Sequence, residues 1–340
     1  MDAPDAGARS HQWIDAGAVG ATSNVALGGV ALLVGLVAIW GSRATWNRDG
    51  WGLPDSGFFP TVLGALLVGV ALVLLVRGWL GRAPRVRWRL RDLAIVVACI
   101  AAVDGVAWRW GGGLALRFGP PEFAALVALE LTVAIALARV SRARATAMVL
   151  LGLLLAMVGL DVITGELRLT MGLELLIEGV DVLVVSLGLL AVADGVICLY
   201  SPSLFAVTYA RLVAGWSRPA IPSLTALGMR VVAALVLAAA CCVAFTLNAR
   251  AWDVGVMLVF GALGVACKIL VWNRLVLLLA AQVGVLLEQN IRNTLILSNG
   301  ELAIFLQRPI SGALLLLTVA VLAASALLSG RRALESVTPR

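Results

Sequence analysis

Apolar residues in this chain come in runs of about 17 or more, each long enough to cross roughly 30 Å of hydrocarbon. In lipid the backbone must satisfy its own polar groups, which leaves helices or a closed barrel. A barrel needs short strands of alternating polarity, and that alternation is absent. Composition agrees: 61% of the 340 residues are hydrophobic, 13% are charged and the mean hydropathy is +1.02. A soluble domain is closer to about half apolar and about a quarter charged. The expected fold is an all-α polytopic membrane protein.

Ten segments carry this expectation: 25–41, 58–76, 93–108, 121–138, 145–163, 180–199, 231–247, 254–272, 275–296 and 310–328. About ten transmembrane helices are therefore expected. Residues 1–24 form a polar leader with three Asp and one Arg, lacking the basic start of a signal peptide, so the first run is read as a retained span. The ninth segment stands apart. Its purely apolar part, Leu275–Leu287, is short for a span, and the remainder, EQNIRNTLIL, is polar on one side. It reads as a tilted helix, a re-entrant piece or a span lining an internal surface.

Charge sets the orientation. With the N-terminus cytoplasmic, the loops on that side hold most of the 26 Lys and Arg residues, including the run RAPRVRWRLRD at 82–92 and the Arg331–Arg332 pair. Basic loops stay inside, so N-in and C-in are expected, with 275–296 crossing. The net charge of +7 belongs to this topology signal rather than to nucleic-acid binding. The 200–230 loop, with three Pro, is expected on the cytoplasmic side. Gly28/Gly35, Gly57/Gly64, Gly152/Gly159 and Gly188/Gly195 are each seven apart, so each pair is expected on one helix face, where small residues let helices approach closely.

Enzyme chemistry finds no foothold. GxxxxGK[ST], GxSxG, HExxH and CxxC are all absent. The one His, His11, lies in the leader. The five Cys fall inside expected spans with no metal-ligand spacing. Neither a cofactor nor a metal is expected. The ionisable residues within spans are Asp104, Glu130, Asp194 and Glu288, and such residues are functional suspects by default. One reading is a proton or cation path. The other is a local pair with Arg or a snorkelling residue at a helix end. The outer loop 161–181 carries five acids and Arg168 among apolar residues. It reads either as a solvated cap or as a docking surface.

Motifs then point to a family. GFFPTVLGALLVGVALVLLVRG at 57–78, with Gly57, Phe58, Phe59 and Pro60, resembles the small membrane subunit of tripartite tricarboxylate transporters, the TctB type, over about residues 20–110. Three later blocks resemble the large permease subunit, the TctA type. LRFGPPEFAALVALELT at 116–132 supplies Gly119, Pro120 and Glu122, with Phe123 where a Tyr is usual. The block at 152–196 supplies Gly159, Asp161, Thr164, Gly165, Arg168, Gly172 and Gly179, with Asp194 where a Glu is usual. The block at 253–317 supplies Glu288, Asn290, Arg292, Ser298, Gly300, Phe305, Arg308, Pro309, Ile310 and Ser311.

The resemblance implies a TctB-like part at 25–110 joined to TctA-like parts at 116–199 and 231–330. It implies a membrane subunit for uptake of a tricarboxylate or other carboxylate across the bacterial inner membrane. A periplasmic solute-binding protein would deliver the substrate and an ion gradient would drive uptake. Glu130, Asp194 and Glu288 become candidates for ion coupling or docking. The family's Gly/Pro-rich "LPGxGxxxA" and "GIPGSxxTA" segments, where interrupted helices build substrate sites, are missing. A full-length permease partner is one consequence. The alternative is a non-transporting scaffold or an inactive, regulatory relative.

Overall fold

A computed structural model describes residues 6–43, 57–80, 118–138, 140–161, 163–200 and 223–335. The third expected segment with Asp104, the basic run 82–92 and most of the 200–230 loop lie outside the described residues. The elements are α1 (Ala6–Ser42), α2 (Phe58–Trp79), α3 (Pro120–Leu137), α4 (Arg142–Ala156), a hairpin of β1 (Gly159–Leu160) and β2 (Leu167–Arg168), α5 (Val182–Tyr200), α6 (Ser223–Asn248), α7 (Ala251–Ile269), α8 (Arg274–Leu297), the short α9 (Ile304–Gln307) and α10 (Pro309–Glu335). Seven helices among the described residues are long and apolar enough to cross a membrane: α1 from Ser23, α2, α3, α5, α6 from Leu227, α7 and α8. The chain is an all-α polytopic membrane protein.

The fifth expected span changes, whereas the ninth is a spanning-length helix as expected. The fifth, 145–163, was drawn too long: α4 stops at Ala156 and spans only about 22 Å at 1.5 Å per residue. The apolar run Met157–Leu160 continues past the helix, but Gly159 takes φ +119° and turns the backbone into the hairpin. This also removes Gly159 from the face of Gly152. The ninth segment is an unbroken helix of 24 residues, about 36 Å long. Its polar residues divide between a buried face and an exposed one, so they do not break the rod.

Helix starts follow local chemistry. Asn273 Oδ1 accepts from the Val276 amide (3.4 Å) at the head of α8, and Asp181 Oδ1 accepts from Leu183 (2.7 Å) at the head of α5. Glu122 reaches back to accept from the Gly119 amide (2.8 Å), with Pro120 opening α3, where a missing N–H costs nothing. Pro309 opens α10 in the same way. At the head of α2, Phe58 and Phe59 stack edge to face at 5.6 Å. The Thr61 hydroxyl donates to Gly57 O (2.7 Å) and lies 2.5 Å from Ser42 Oγ, joining α1 to α2.

Lipid tails are as apolar as leucine, so close packing rather than water exclusion holds the helices together. A Cβ on Gly35 would stand 2.9 Å from Gly64 O, and one on Gly64 would stand 2.9 Å from Gly35 O. Gly152 abuts the Leu277 carbonyl and Ala280 on α8, while Gly284 of α8 lies against Ala156. Gly188 on α5 abuts Met257 O and Gly261 of α7. The contacts Gly152–Leu277 and Gly284–Ala156 make α4 and α8 run parallel. Parallel packing of α5 with α7 follows from Gly188–Met257 and Gly264–Ala193.

One end of the bundle gathers Ser23, Asn24, Arg144, Leu270 and Trp272. Arg144 Nε donates to Asn24 Oδ1, and Trp272 Nε1 donates to Ser23 O at 3.3 Å. Arg142 reaches Ser325 O (2.9 Å) at this same end, so α1 enters where the later part of α10 lies. The opposite end holds the hairpin, the heads of α2, α3 and α10, and the tail of α8.

Candidate functional site

Two charge clusters sit at opposite ends of α8. The first joins the hairpin to the tail of that helix. Its four residues, Asp161, Arg168, Glu288 and Arg292, are all buried. Arg292 Nη1 donates to Asp161 Oδ2 at 2.6 Å and lies 3.4 Å from Glu288 Oε1. Arg168 Nη1 is bonded to Glu288 Oε1, and its Nη2 lies 3.6 Å from Asp161 Oδ1. Two carboxylates face two guanidinium groups, so the set is neutral. A buried charge is costly unless paired and hydrogen-bonded, and here each one is paired.

The local sequence places these groups. Glu288 and Arg292 are one turn apart on α8 and so share a face. In the hairpin, Gly159 pairs with Arg168 and Leu160 with Leu167. That register brings Arg168 back beside Asp161. The turn is held by Asp161 itself, whose carboxylate accepts from the Thr164 hydroxyl (2.6 Å) and the Ile163 amide (3.2 Å). Gly165, at φ +73°, completes it. Burial acts to raise the Asp161 carboxyl. The Thr164 and Arg292 hydrogen bonds, the Arg168 charge and the Ile163 amide outweigh it and hold the group below the ordinary carboxylate value.

The hairpin is closed from behind by glycine. Gly159 (φ +119°) and Gly179 (φ +81°) lie so close that a Cβ on Gly159 would meet Gly179 Cα at 2.6 Å. Both conformations favour glycine. The 161–181 loop is therefore not simply a solvated cap: Asp161 and Arg168 are buried, while Glu166, Glu174 and Glu178 stay exposed. Gly172 (φ +75°) lies in the exposed part. Arg250 reaches Glu178 Oε1 at 2.5 Å from the α6–α7 turn.

A smaller contact at the same end brings two distant motifs together. Arg308 Nη1 lies 3.5 Å from Glu122 Oε1, and the Ser311 hydroxyl donates to Pro121 O at 3.2 Å. FGPPEF at the head of α3 thus meets QRPIS at the head of α10.

The second cluster lies at the other end. Asp194 Oδ1 is 2.6 Å from Lys268 Nζ and 2.8 Å from Arg274 Nη1, and Arg274 Nη2 donates to its Oδ2 at 2.9 Å. Arg274 Nη1 also donates to Leu189 O at 2.9 Å. That carbonyl belongs to a π-helical turn, Leu187–Val192, inside α5. One carboxylate faces two cations, and all three side chains keep partial access to solvent, at 19%, 25% and 16% exposure for Asp194, Lys268 and Arg274.

Of the suspects within spans, Asp194 forms the local pair with basic residues and Glu288 sits in the neutral quartet. Glu130 is half-buried in mid-α3. Lys268 and Arg274 were not singled out from the sequence. Their signal was available: KILVWNR puts two cations on either side of a short helix–helix turn.

Comparison with known proteins places the first half of this arrangement. Residues 93–205 match the model of the Tripartite tricarboxylate transporter TctA family. An uncharacterized 52.8 kDa protein in the TAR-I ttuC' 3'region of Agrobacterium vitis is 43% identical over 81 residues. Those residues are 24% of this chain and 16% of that protein, so the chain spans under a fifth of the curated relative it matches. No solved structure matches. The matched segment carries Asp161 and Arg168 of one cluster and Asp194 of the other, and through it the chain is similar to the tripartite tricarboxylate transporter TctA family.

Proposed function

We propose that the chain is a membrane subunit of a binding-protein-dependent transporter for tricarboxylates or related carboxylates, seated in the bacterial inner membrane. The observation that carries this reading is the double meeting of distant blocks. Asp161 and Arg168, inside the family segment, lock onto Glu288 and Arg292 some 120 residues later, and Glu122 meets Arg308. The later block thus packs as part of the same unit, although the family match ends at 205. In this reading α1 and α2 form the part similar to the small TctB-type subunit.

The end bearing the hairpin faces the periplasm and receives a solute-binding protein. Glu166, Glu174 and Glu178 are exposed there and form the docking acids. Asp194 is the coupling candidate at the cytoplasmic end, since it retains solvent access and a net positive setting. Glu288 holds the hairpin. Glu130 is the second coupling candidate. An ion gradient drives uptake, and a full-length permease supplies the missing Gly/Pro-rich substrate segments.

A specific observation favours a second reading, a non-transporting scaffold. A cleft of ≈ 260 Å³ between α1, α4 and α7 is lined by apolar residues such as Val34, Met148, Leu154, Phe260 and Leu263. Nothing in that lining recognises a carboxylate. Reconstitution decides between the two. Proteoliposomes holding this chain, a binding protein and a full permease should accumulate labelled carboxylate under a sodium or proton gradient, and omission of this chain should abolish uptake. Undiminished uptake without it would leave the scaffold reading.

A further inference from the structure

Among the described residues, one face of α8 has no partner helix. Leu275, Leu286 and Ile296 are 43%, 52% and 47% exposed, Gln282 and Asn293 are exposed as well, and Gln289 is half-exposed between them. With the half-exposed Leu279, these positions step by four and three residues from one end of the helix to the other. That spacing is the a/d seam of a left-handed helix pair. Membrane helix pairs commonly pack in this geometry. The opposite face of α8 is occupied by α4, α3 and the ion quartet.

The seam is polar at depth. Gln282 and Gln289 lie about 12 Å and about 22 Å along a helix of about 36 Å, well within the apolar layer. Neither amide, nor that of Asn293, hydrogen-bonds another described residue. Lipid tails offer no partner, so amides facing them stay unsatisfied. An amide carries both donors and an acceptor, so it pairs well with a copy of itself. In a parallel two-fold pair every seam residue stands opposite its own counterpart. Gln282 then meets Gln282, Gln289 meets Gln289, and Leu286 packs between them.

We propose that this face of α8 is the interface with a second copy of the same chain. The leucines and Ile296 supply knobs-into-holes packing, and the three amides fix register and partner number, as buried polar residues do in soluble coiled coils. The proposal does not depend on the transport reading.

Single cysteines placed along 275–296 in a full-length chain with its five natural cysteines replaced test it. Oxidation in native membranes should give covalent dimers at Gln282→Cys, Leu286→Cys and Gln289→Cys. The yield should fall at Val283→Cys and Leu287→Cys, giving a 3.5-residue period. Absence of dimers at all seam positions, a period peaking on another face, or adducts only with a different protein would overturn the proposal. A second measurement leaves the cysteines in place. Gln282→Leu with Gln289→Leu should weaken self-association by about tenfold, read from dilution of fluorescently tagged protein in lipid. An unchanged association would overturn the role of the amides.

Discussion

Arg292 on α8 and Asp161 in the hairpin are separated by 131 residues in sequence and by 2.6 Å in space. The pair closes a neutral set whose other members are Glu288, one turn from Arg292, and Arg168, across the hairpin from Gly159. Cutting one member strands a buried charge, which costs far more than the pair contributes net. Asp161→Asn or Arg292→Met should therefore each destabilise the protein by about 3–5 kcal/mol. The double variant should lose less than the sum of the two. Thermal unfolding in a mild detergent, run as a double-mutant cycle, checks this.

The same carboxylate sets an acid limit. Its folded-state pKa lies below the ordinary value, so its contribution is fully present above the unfolded value of about 3.9. The contribution is lost as the pH falls through the lowered folded value. Unfolding temperature should be insensitive to this group from pH 5 upward and should drop in more acid solution. Asp161→Asn should start from a lower temperature and show a shallower acid slope. An equal slope in both proteins would mean that other groups set the limit.

Close approach of α1 and α2 gives a test with its own control. Gly35→Val places atoms against Gly64 O, where a Cβ alone would sit at 2.9 Å. Backbone cannot yield as a flexible side chain does, so a loss of about 1–3 kcal/mol is expected. Gly29 and Gly69 are on the same two helices with nothing within 4 Å of an added Cβ. Gly29→Ala and Gly69→Ala should be neutral or slightly stabilising, within about 1 kcal/mol. Detergent-resistance temperatures of the three variants separate packing from any general intolerance of side chains.

How much of this was legible in sequence varies with the range of the interaction. Helix existence follows from hydropathy, because lipid forces each apolar run to pair its backbone internally. The end of α4 was missed since Met157–Leu160 is as apolar as the helix before it. Only Gly159 and the DVITG turn mark the change. The polar side of 275–296 was visible, but hydropathy averages over a helix face. It does not distinguish the buried Glu288–Arg292 face from the exposed Gln282–Gln289 face. The meeting of Asp161 with Arg292 has no local signal. It depends on parallel packing of α4 and α8 through Gly152 and Gly284, a tertiary event. A weak hint was available in the charges: the hairpin carries Asp161, Glu166 and Arg168, and the tail of α8 carries Glu288 and Arg292.

The other end of α8 is expected to respond differently, because its charges do not cancel. Asp194→Asn leaves Lys268 and Arg274 facing each other without a carboxylate, each less than a third exposed. A loss of about 1–3 kcal/mol is expected for a hydrogen-bonded charged group of this kind. Lys268→Met in the same chain should recover part of it by removing one of the two cations. Arg274→Met should do more local damage than either, since Leu189 O in the π-helical turn also loses its donor. Hydrogen exchange over residues 187–195 reads this directly. Faster exchange there in Arg274→Met, with α7 protected as in the parent, is the expected pattern. Uniform loss of protection across α5 and α7 would instead mean that the parallel α5–α7 contact at Gly188 and Gly261 depends on Arg274.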